Sequence, residues 1–125
     1  MTDTDPTHAA ASLFVTACER AHVQRVLVIG GSPDARNTLL TLLLKLDIRA
    51  IDGHGALTDD RADRLADWAD VVILWGEGGL HASVTDRFGS GYRRATVIAV
   101  NDLEIAAMLD ASTAHLPQSS TGVTQ

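Results

Sequence analysis

The chain has 125 residues, which is enough for one domain with a buried core and too few for two. Its net charge of −6 at pH 7 argues against a general nucleic-acid-binding surface, and no apolar run approaches the roughly 18 residues that a membrane span needs. A single cysteine, Cys18, excludes a disulfide within the chain. Because the N-terminus also lacks the features of a secretory signal, we expect a cytoplasmic protein.

Segments of two different periodicities alternate along the chain. Apolar residues spaced three and four apart predict helices, and short continuous apolar runs predict strands that are covered on both faces. The predicted elements are a helix over 8–22, a strand over 25–29, a helix over 34–47, a strand over 48–52, a helix over 58–69, a strand over 70–75, a helix over 80–88, a strand over 95–100 and a helix over 101–111. The polar stretch 1–7 is predicted to be disordered and 113–125 to be a flexible tail, which leaves a single domain over 8–112.

Two details of the helices also follow from the sequence. In the helix over 8–22, the spacing predicts an inward face that carries Leu13, Ala17 and Ala21. At the start of the last helix, Asn101 and Glu104 have the spacing of a capping box, in which each side chain bonds to the other residue's backbone N–H.

The alternation of helices and strands predicts an α/β domain with a parallel sheet. Right-handed crossovers favour a single Rossmann-like or flavodoxin-like domain, with four parallel strands in the order 2-1-3-4, helices on both faces and an extra N-terminal helix. The fourth strand would then lie at an exposed edge, which either the first helix or a second subunit could cover. We favour the second subunit and expect a homodimer.

The glycine-rich loops after the first and third strands are the main functional signal. In a sheet of this order, ligands bind beyond the carboxyl ends of the strands, at the point between these two strands where the strand order reverses. The first loop begins with Gly30 and Gly31. The second loop begins with Gly76, Glu77, Gly78 and Gly79. Both lead into helix N-termini, whose unpaired N–H groups attract anions, so the sequence predicts a site for a small anionic or nucleotide-like ligand.

Three residues that follow the two glycines fit this interpretation. Ser32 can cap the next helix, Pro33 suits its first position, and Arg36 lies one turn further on, where it could hold a phosphate or carboxylate with two hydrogen bonds. The alternative is that Gly30 and Gly31 only permit a tight turn between strand and helix.

His81 is predicted to open the helix that follows the second loop and to point into or beside the cleft. A neutral imidazole there can bond to a ligand, act as a base, or bind a metal or haem iron. The alternative is a histidine that bonds to the backbone and caps the helix. Glu77 is a candidate partner for the ring, whereas His54, in the loop after the second strand, is interpreted as structural.

Established motifs are missing from the sequence. The order G-G-S-P-D-A does not fit the dinucleotide fingerprint G-x-G-x-x-G, and there is no G-K-[ST] and no G-x-S-x-G at a strand-to-helix turn. There is also no C-x-x-C, no H-E-x-x-H and no close histidine pair. An enzyme is therefore the least favoured class. A regulatory domain that binds a small ligand is favoured, and a haem- or metal-binding protein that uses His81 and a ligand-free interaction module stay open.

The segment VLVIGGSPDARNTLLTLL (26–43) resembles the first strand and helix of response-regulator receivers. Receivers need acidic residues after the first strand to hold Mg²⁺ and an aspartate at the end of the third strand. This chain has Gly30 and Gly31 at the former position and Trp75 at the latter. A phosphorylated receiver is therefore excluded, and a degenerate receiver stays open.

The chain is also similar to the bacterial domain-of-unknown-function 2325 family, from residue 25 to about 110. The similarity rests on VLVIGG (26–31), ADVVILW (69–75) and LHAS (80–83), followed by a late strand and a short helix. The resemblance implies a small Rossmann-type domain with a histidine, here His81, at the start of a helix beside the site. It implies no established activity.

Overall fold

The computed structural model describes residues 6–53, 55, 58–76, 80–88, 96–102 and 104–116. Its elements are α1 (Pro6–Arg20), β1 (Arg25–Gly30), α2 (Pro33–Leu42), β2 (Asp47–Ile51), α3 (Asp59–Trp68), β3 (Val71–Trp75), α4 (Ala82–Phe88), β4 (Thr96–Val100) and α5 (Ile105–His115). The strands form one parallel sheet in the order β2-β1-β3-β4. The predicted fold class and strand order are confirmed.

The two central strands, β1 and β3, separate two hydrophobic cores. Val28 pairs with Ile73, and both side chains face a core formed with α1, α2 and α5. Leu27 pairs with Val72, and both face the opposite core, formed with α3 and α4. Because side chains alternate across a strand, a run that is apolar at every position fits burial on both faces of the sheet.

The buried face of helix α1 agrees only in part with the predicted one. Its buried residues are Ala10, Ala11, Phe14 and Cys18, whereas Leu13 is 59 % exposed. Ala17 and Ala21 are half-buried and pack against the core as predicted. The assignment of Leu13 was wrong, because alanines lie on several sides of this helix and leave the inward face ambiguous. Phe14 and the small residues around it pack against α5 and the sheet, so α1 belongs to the layer of helices over one sheet face. Burial, with a smaller contribution from the charge of Glu19, raises the pKa of the Cys18 thiol to about 12.

Helix α5 begins later than predicted, and the capping box is not formed. Glu104 occupies the N-cap position without a side-chain bond to the helix. Instead, Oδ1 of Asp102 accepts a bond from the Glu104 N–H, and the Asp102 carbonyl accepts one from Trp75. These bonds tie Asp102 both to Trp75 and to the backbone just before the helix, which starts at Ile105.

Other boundaries also differ from the predicted ones. Helix α2 ends at Leu42, and the following residues form a turn that still buries Leu43 and Leu46. Helix α5 continues to His115, because Leu116 after it is buried in the core, so three residues assigned to the tail are helical. At the other end, Pro6 and Thr7 are the start of α1. The remaining residues predicted to be disordered, 1–5 and 117–125, lie outside the described part. Among the described helices, none is long and apolar enough to cross a membrane.

Two neighbouring residues of α1 allow its packing to be tested. Phe14→Ala removes a fully buried ring and should lower the free energy of unfolding by about 3–5 kcal/mol. Leu13→Ala, the matched control on the exposed side, should change it by about 0.5 kcal/mol or less. Urea unfolding followed by circular dichroism measures both. Equal losses in the two variants would contradict this placement of α1.

Candidate functional site

The turn after β1 depends on two glycines with left-handed backbone. Gly30 has φ +115° and Gly31 has φ +79°, so the two residues expected to permit a tight turn both have positive φ. A Cβ on Gly30 would overlap the carbonyl oxygen of Trp75 and come within 2.9 Å of Cδ2 of Leu80. Residues with a Cβ rarely adopt such φ values, so both the backbone conformation and the lack of space require glycine here.

The space beside these glycines is filled by other parts of the protein. A Cβ on Gly31 would overlap the indole ring of Trp75, and one on Gly53, in the loop after β2, would overlap Cδ2 of Leu80. Trp75 and Leu80 therefore fill the space beside the glycines at the ends of β1 and β2. The tight-turn interpretation is thus sufficient to explain Gly30 and Gly31.

Arg36 bonds to the turn that precedes its helix. Its Nη1 donates to the carbonyl of Gly31 at 2.6 Å and to that of Gly30 at 3.4 Å. The side chain is half-buried, and these bonds hold the guanidinium at the carboxyl end of β1. The structure therefore places Arg36 at the predicted site, with one of its nitrogens already used by the protein.

The start of α2 agrees with the sequence prediction. Oγ of Ser32 accepts a bond from the Ala35 N–H at 3.1 Å, and Pro33 occupies the first helical position. Asp34 lies in the same turn, where an acidic side chain complements the positive end of the helix dipole. This helix N-terminus is thus stabilised by its own residues.

His81 caps α4. The helix begins at Ala82, and the carbonyl of His81 accepts its first bond, from the Val84 N–H at 2.9 Å. Nδ1 of the ring accepts a bond from the Ser83 N–H at 3.1 Å, and Oγ of Ser83 lies 2.9 Å from the same nitrogen. Because Nδ1 accepts, this network assigns the proton of the neutral ring to Nε2. His81 is exposed, so Nε2–H is a donor at the surface.

His81 also joins two loops at the carboxyl edge of the sheet. Its backbone N–H donates to the carbonyl of Gly53 at 2.7 Å, next to the packing of Leu80 on the same glycine. At the end of β3, Gly76 has φ +73° and donates its N–H to the Val100 carbonyl at 2.7 Å. The loops after β1, β2 and β3 thus meet at one rim. The other predicted site residues of the second loop, Glu77, Gly78 and Gly79, lie outside the described part, as does His54.

Trp75 organises this rim, and the sequence reasoning did not assign it that role. Its side chain is buried, packs against the Gly31 turn, and donates from Nε1 to the Asp102 carbonyl at 2.7 Å. The signal was present in the sequence, since a large aromatic residue ends β3 in register with Gly30 of the neighbouring strand. A large side chain beside glycines on the neighbouring strand indicates that the side chain packs against the glycine backbone.

Metal binding receives little support from the side chains. Within the described ranges, no group of three or more histidine, cysteine, aspartate or glutamate residues is placed to hold a metal ion. A metal or haem iron held by His81 would thus have at most one further ligand of these types among the described residues.

Comparison of the chain with models of known protein families, with curated proteins and with solved structures found no match. The two resemblances noted from the sequence remain predictions.

The packing of the glycine turn leads to a stability prediction. Gly30→Ala should lower the free energy of unfolding by about 2 kcal/mol or more, because it combines a disfavoured φ with overlap on the Trp75 backbone. The control is Gly55→Ala, since a Cβ there meets no atom within 4 Å, and its effect should be about 0.5 kcal/mol or less. Thermal and urea unfolding give both values. A Gly30→Ala protein as stable as the parent would show that the turn tolerates other residues.

Proposed function

We propose that this chain is a small regulatory domain that binds a small anion, such as a phosphate or nucleotide-like group, at the rim formed by the loops after β1 and β3. The observation that carries the proposal is the hydrogen-bonding character of two side chains. Arg36 has only donors, and His81, with Nδ1 bonded to Ser83, presents Nε2–H as a donor. Phosphate and carboxylate oxygens are acceptors, so both side chains match an anion.

The position of Arg36 is a second reason to expect anion binding. Two backbone carbonyls hold its Nη1, so part of the side-chain entropy that binding would cost is already lost in the folded protein. Nε and Nη2 take no part in these two bonds. The guanidinium can therefore form a two-bond pair with an anion while it keeps its contact with the turn.

Haem or metal binding is disfavoured by the same hydrogen bonds. Ligation through Nε2 requires the proton to lie on Nδ1, because the ligating nitrogen must offer a lone pair. Nδ1 accepts the Ser83 N–H, so ligation would break the bond that caps α4. A metal bound at Nε2 would therefore cost the stability of that helix start.

A ligand-free interaction module is the second candidate. Leu80 and Trp75 favour it, because they fill the space beside the glycines of the turn. Their packing accounts for the glycines without a ligand. In that case the residues of the rim would only hold the loops together, and the domain would bind its partners through other surfaces.

The absorption spectrum of the purified protein separates these classes. A maximum near 260 nm would indicate a retained nucleotide, a Soret band would indicate haem, and a plain protein spectrum would favour either a weakly bound anion or the interaction module. The last two are distinguished by titrating the protein with inorganic phosphate and with adenosine monophosphate and following backbone amide resonances. Shifts confined to the turn at Gly31 and to the start of α4 would support the proposed site.

Variants at the rim give the functional prediction. His81→Ala should abolish the binding of whichever anion the titration detects, with the fold intact by circular dichroism. His81→Asn keeps an acceptor for the Ser83 N–H but lacks the ring Nε2–H, so it should also lose binding while it retains the helix cap. His115→Ala is the control, because that ring bonds to the Ala111 carbonyl of α5. His54→Ala should have a smaller effect. Full binding by both His81 variants would show that the histidine only caps α4.

We also propose that the chain forms a homodimer through the open edge of β4. Thr96 donates its N–H to the Asp70 carbonyl, and the Val100 carbonyl accepts from Gly76, so these residues bond towards β3. In a parallel ladder the alternate residues, Val97 and Ala99, then direct their backbone groups outwards. Among the described strands none pairs with this edge of β4, and edges of this kind readily pair with another strand.

Light scattering tests the dimer. At micromolar concentration the protein should show about twice the 13.3 kDa mass of the chain. Val97→Pro removes an outward N–H without breaking a bond to β3 and should shift the protein to the monomer. A parent protein that stays monomeric at every accessible concentration would refute this proposal.

A further inference from the structure

The other edge strand of the sheet, β2, combines a backbone edge that no described strand pairs with and a groove. Asp47 donates its N–H to the Gln24 carbonyl at 2.9 Å, so Asp47 and every second residue after it bond towards β1. The alternate residues, Ile48 and Ala50, direct their N–H and C=O groups away from the sheet. An open groove of about 530 Å³ runs along this edge between α2 and α3.

The two sides of the groove differ in character. Ile48 and Ala50 pack towards α2, where Leu40 is 40 % exposed and adds an apolar wall. On the α3 side, the groove is lined by the exposed Arg61 and Arg64 and by the more buried Ile51 and Leu65. A strand laid along β2 would therefore meet apolar groups on the α2 side, and positive charge beside apolar groups on the α3 side.

The positive charge on the α3 side is local and accessible. The guanidinium of Arg49 lies 4.3 Å from the centroid of the Trp68 ring, which holds this arginine on the α3 side of the edge. Arg64 pairs with Asp60 at 3.8 Å, but both side chains are highly exposed (78 % and 92 %), and such surface pairs are weak. Three arginines thus line one groove in a chain whose net charge is −6.

We infer that the β2 edge binds an extended, acidic segment of a partner protein, which adds to the sheet as a further strand. Main-chain bonds to Ile48 and Ala50 would supply affinity, and the alternation of side chains would supply specificity. Acidic residues at every second position of the segment face the arginines on the α3 side, and the apolar residues between them face Leu40. This site is separate from the anion site at Arg36 and does not depend on it.

A second copy of this chain fits the groove less well than an acidic partner. Pairing of two β2 edges would bring both sets of Arg49, Arg61 and Arg64 to one interface, and like charges placed opposite each other destabilise paired strands. An acidic strand instead neutralises the arginines.

The test uses a fluorescein-labelled peptide of about eight residues in which glutamate alternates with valine, with binding followed by anisotropy. The parent protein should bind this peptide, and should not bind one with lysine in place of glutamate. A third peptide, N-methylated at alternate backbone positions, keeps the charges but cannot pair along one edge, and it should bind at least tenfold more weakly. No binding of the first peptide, or equal binding of the N-methylated one, overturns the inference.

Protein variants locate the binding surface. Arg61→Glu combined with Arg64→Glu changes two exposed positions of α3 and should weaken binding by at least tenfold. The control is Arg20→Glu combined with Lys45→Glu, which alters the net charge equally at exposed positions outside the groove and should bind almost as the parent does. Equal losses in both double variants would mean that only net charge attracts the peptide. A parent dimer that dissociates only in the Arg61 and Arg64 variant would assign the groove to a second copy. Either result rejects the acidic partner.

Discussion

The indole of Trp75 lies against the Gly31 turn and donates its Nε1 proton to the Asp102 carbonyl, so one buried side chain joins the ends of β1, β3 and the segment after β4. Leu80 continues this packing to Gly30 and to Gly53 after β2. Because the glycines leave no space for a Cβ, the positions of all these loops depend on one another. The rim that presents Arg36 and His81 therefore exists only while this packing is intact.

The sequence was sufficient for the architecture because the apolar runs of β1 and β3 can be satisfied only by helices on both faces, and the handedness of crossovers then limits the strand order. It was not sufficient where two local solutions compete. In α1 the many alanines give no clear direction, and only the fit of Phe14 against α5 decides the buried face. Before α5, the Glu104 N–H bonds to Asp102, which also accepts a bond from Trp75, and the predicted capping box is not formed; the sequence does not reveal such a tertiary contact.

In the candidate site, the sequence likewise predicts the local backbone features but not the partners of the side chains. The conformation of Gly30 and Gly31, the Ser32 cap and the place of His81 at the start of a helix follow from local rules. The partners of the side chains do not. The sequence left open whether the glycines contact a ligand or only permit a tight turn. It did not show that Trp75 packs against them or that Arg36 bonds to the carbonyls of the turn, because these contacts depend on the folded structure.

The chain contains two tryptophans, and the structure places them in different surroundings. Trp75 is buried beside the rim, whereas Trp68 is half-buried beneath Arg49 at the β2 edge. Since the emission of an indole depends on the polarity and charge around it, the two rings act as separate optical reporters. A molecule that disturbs the rim changes the fluorescence of Trp75. A strand that draws Arg49 away from the Trp68 ring changes the fluorescence of Trp68.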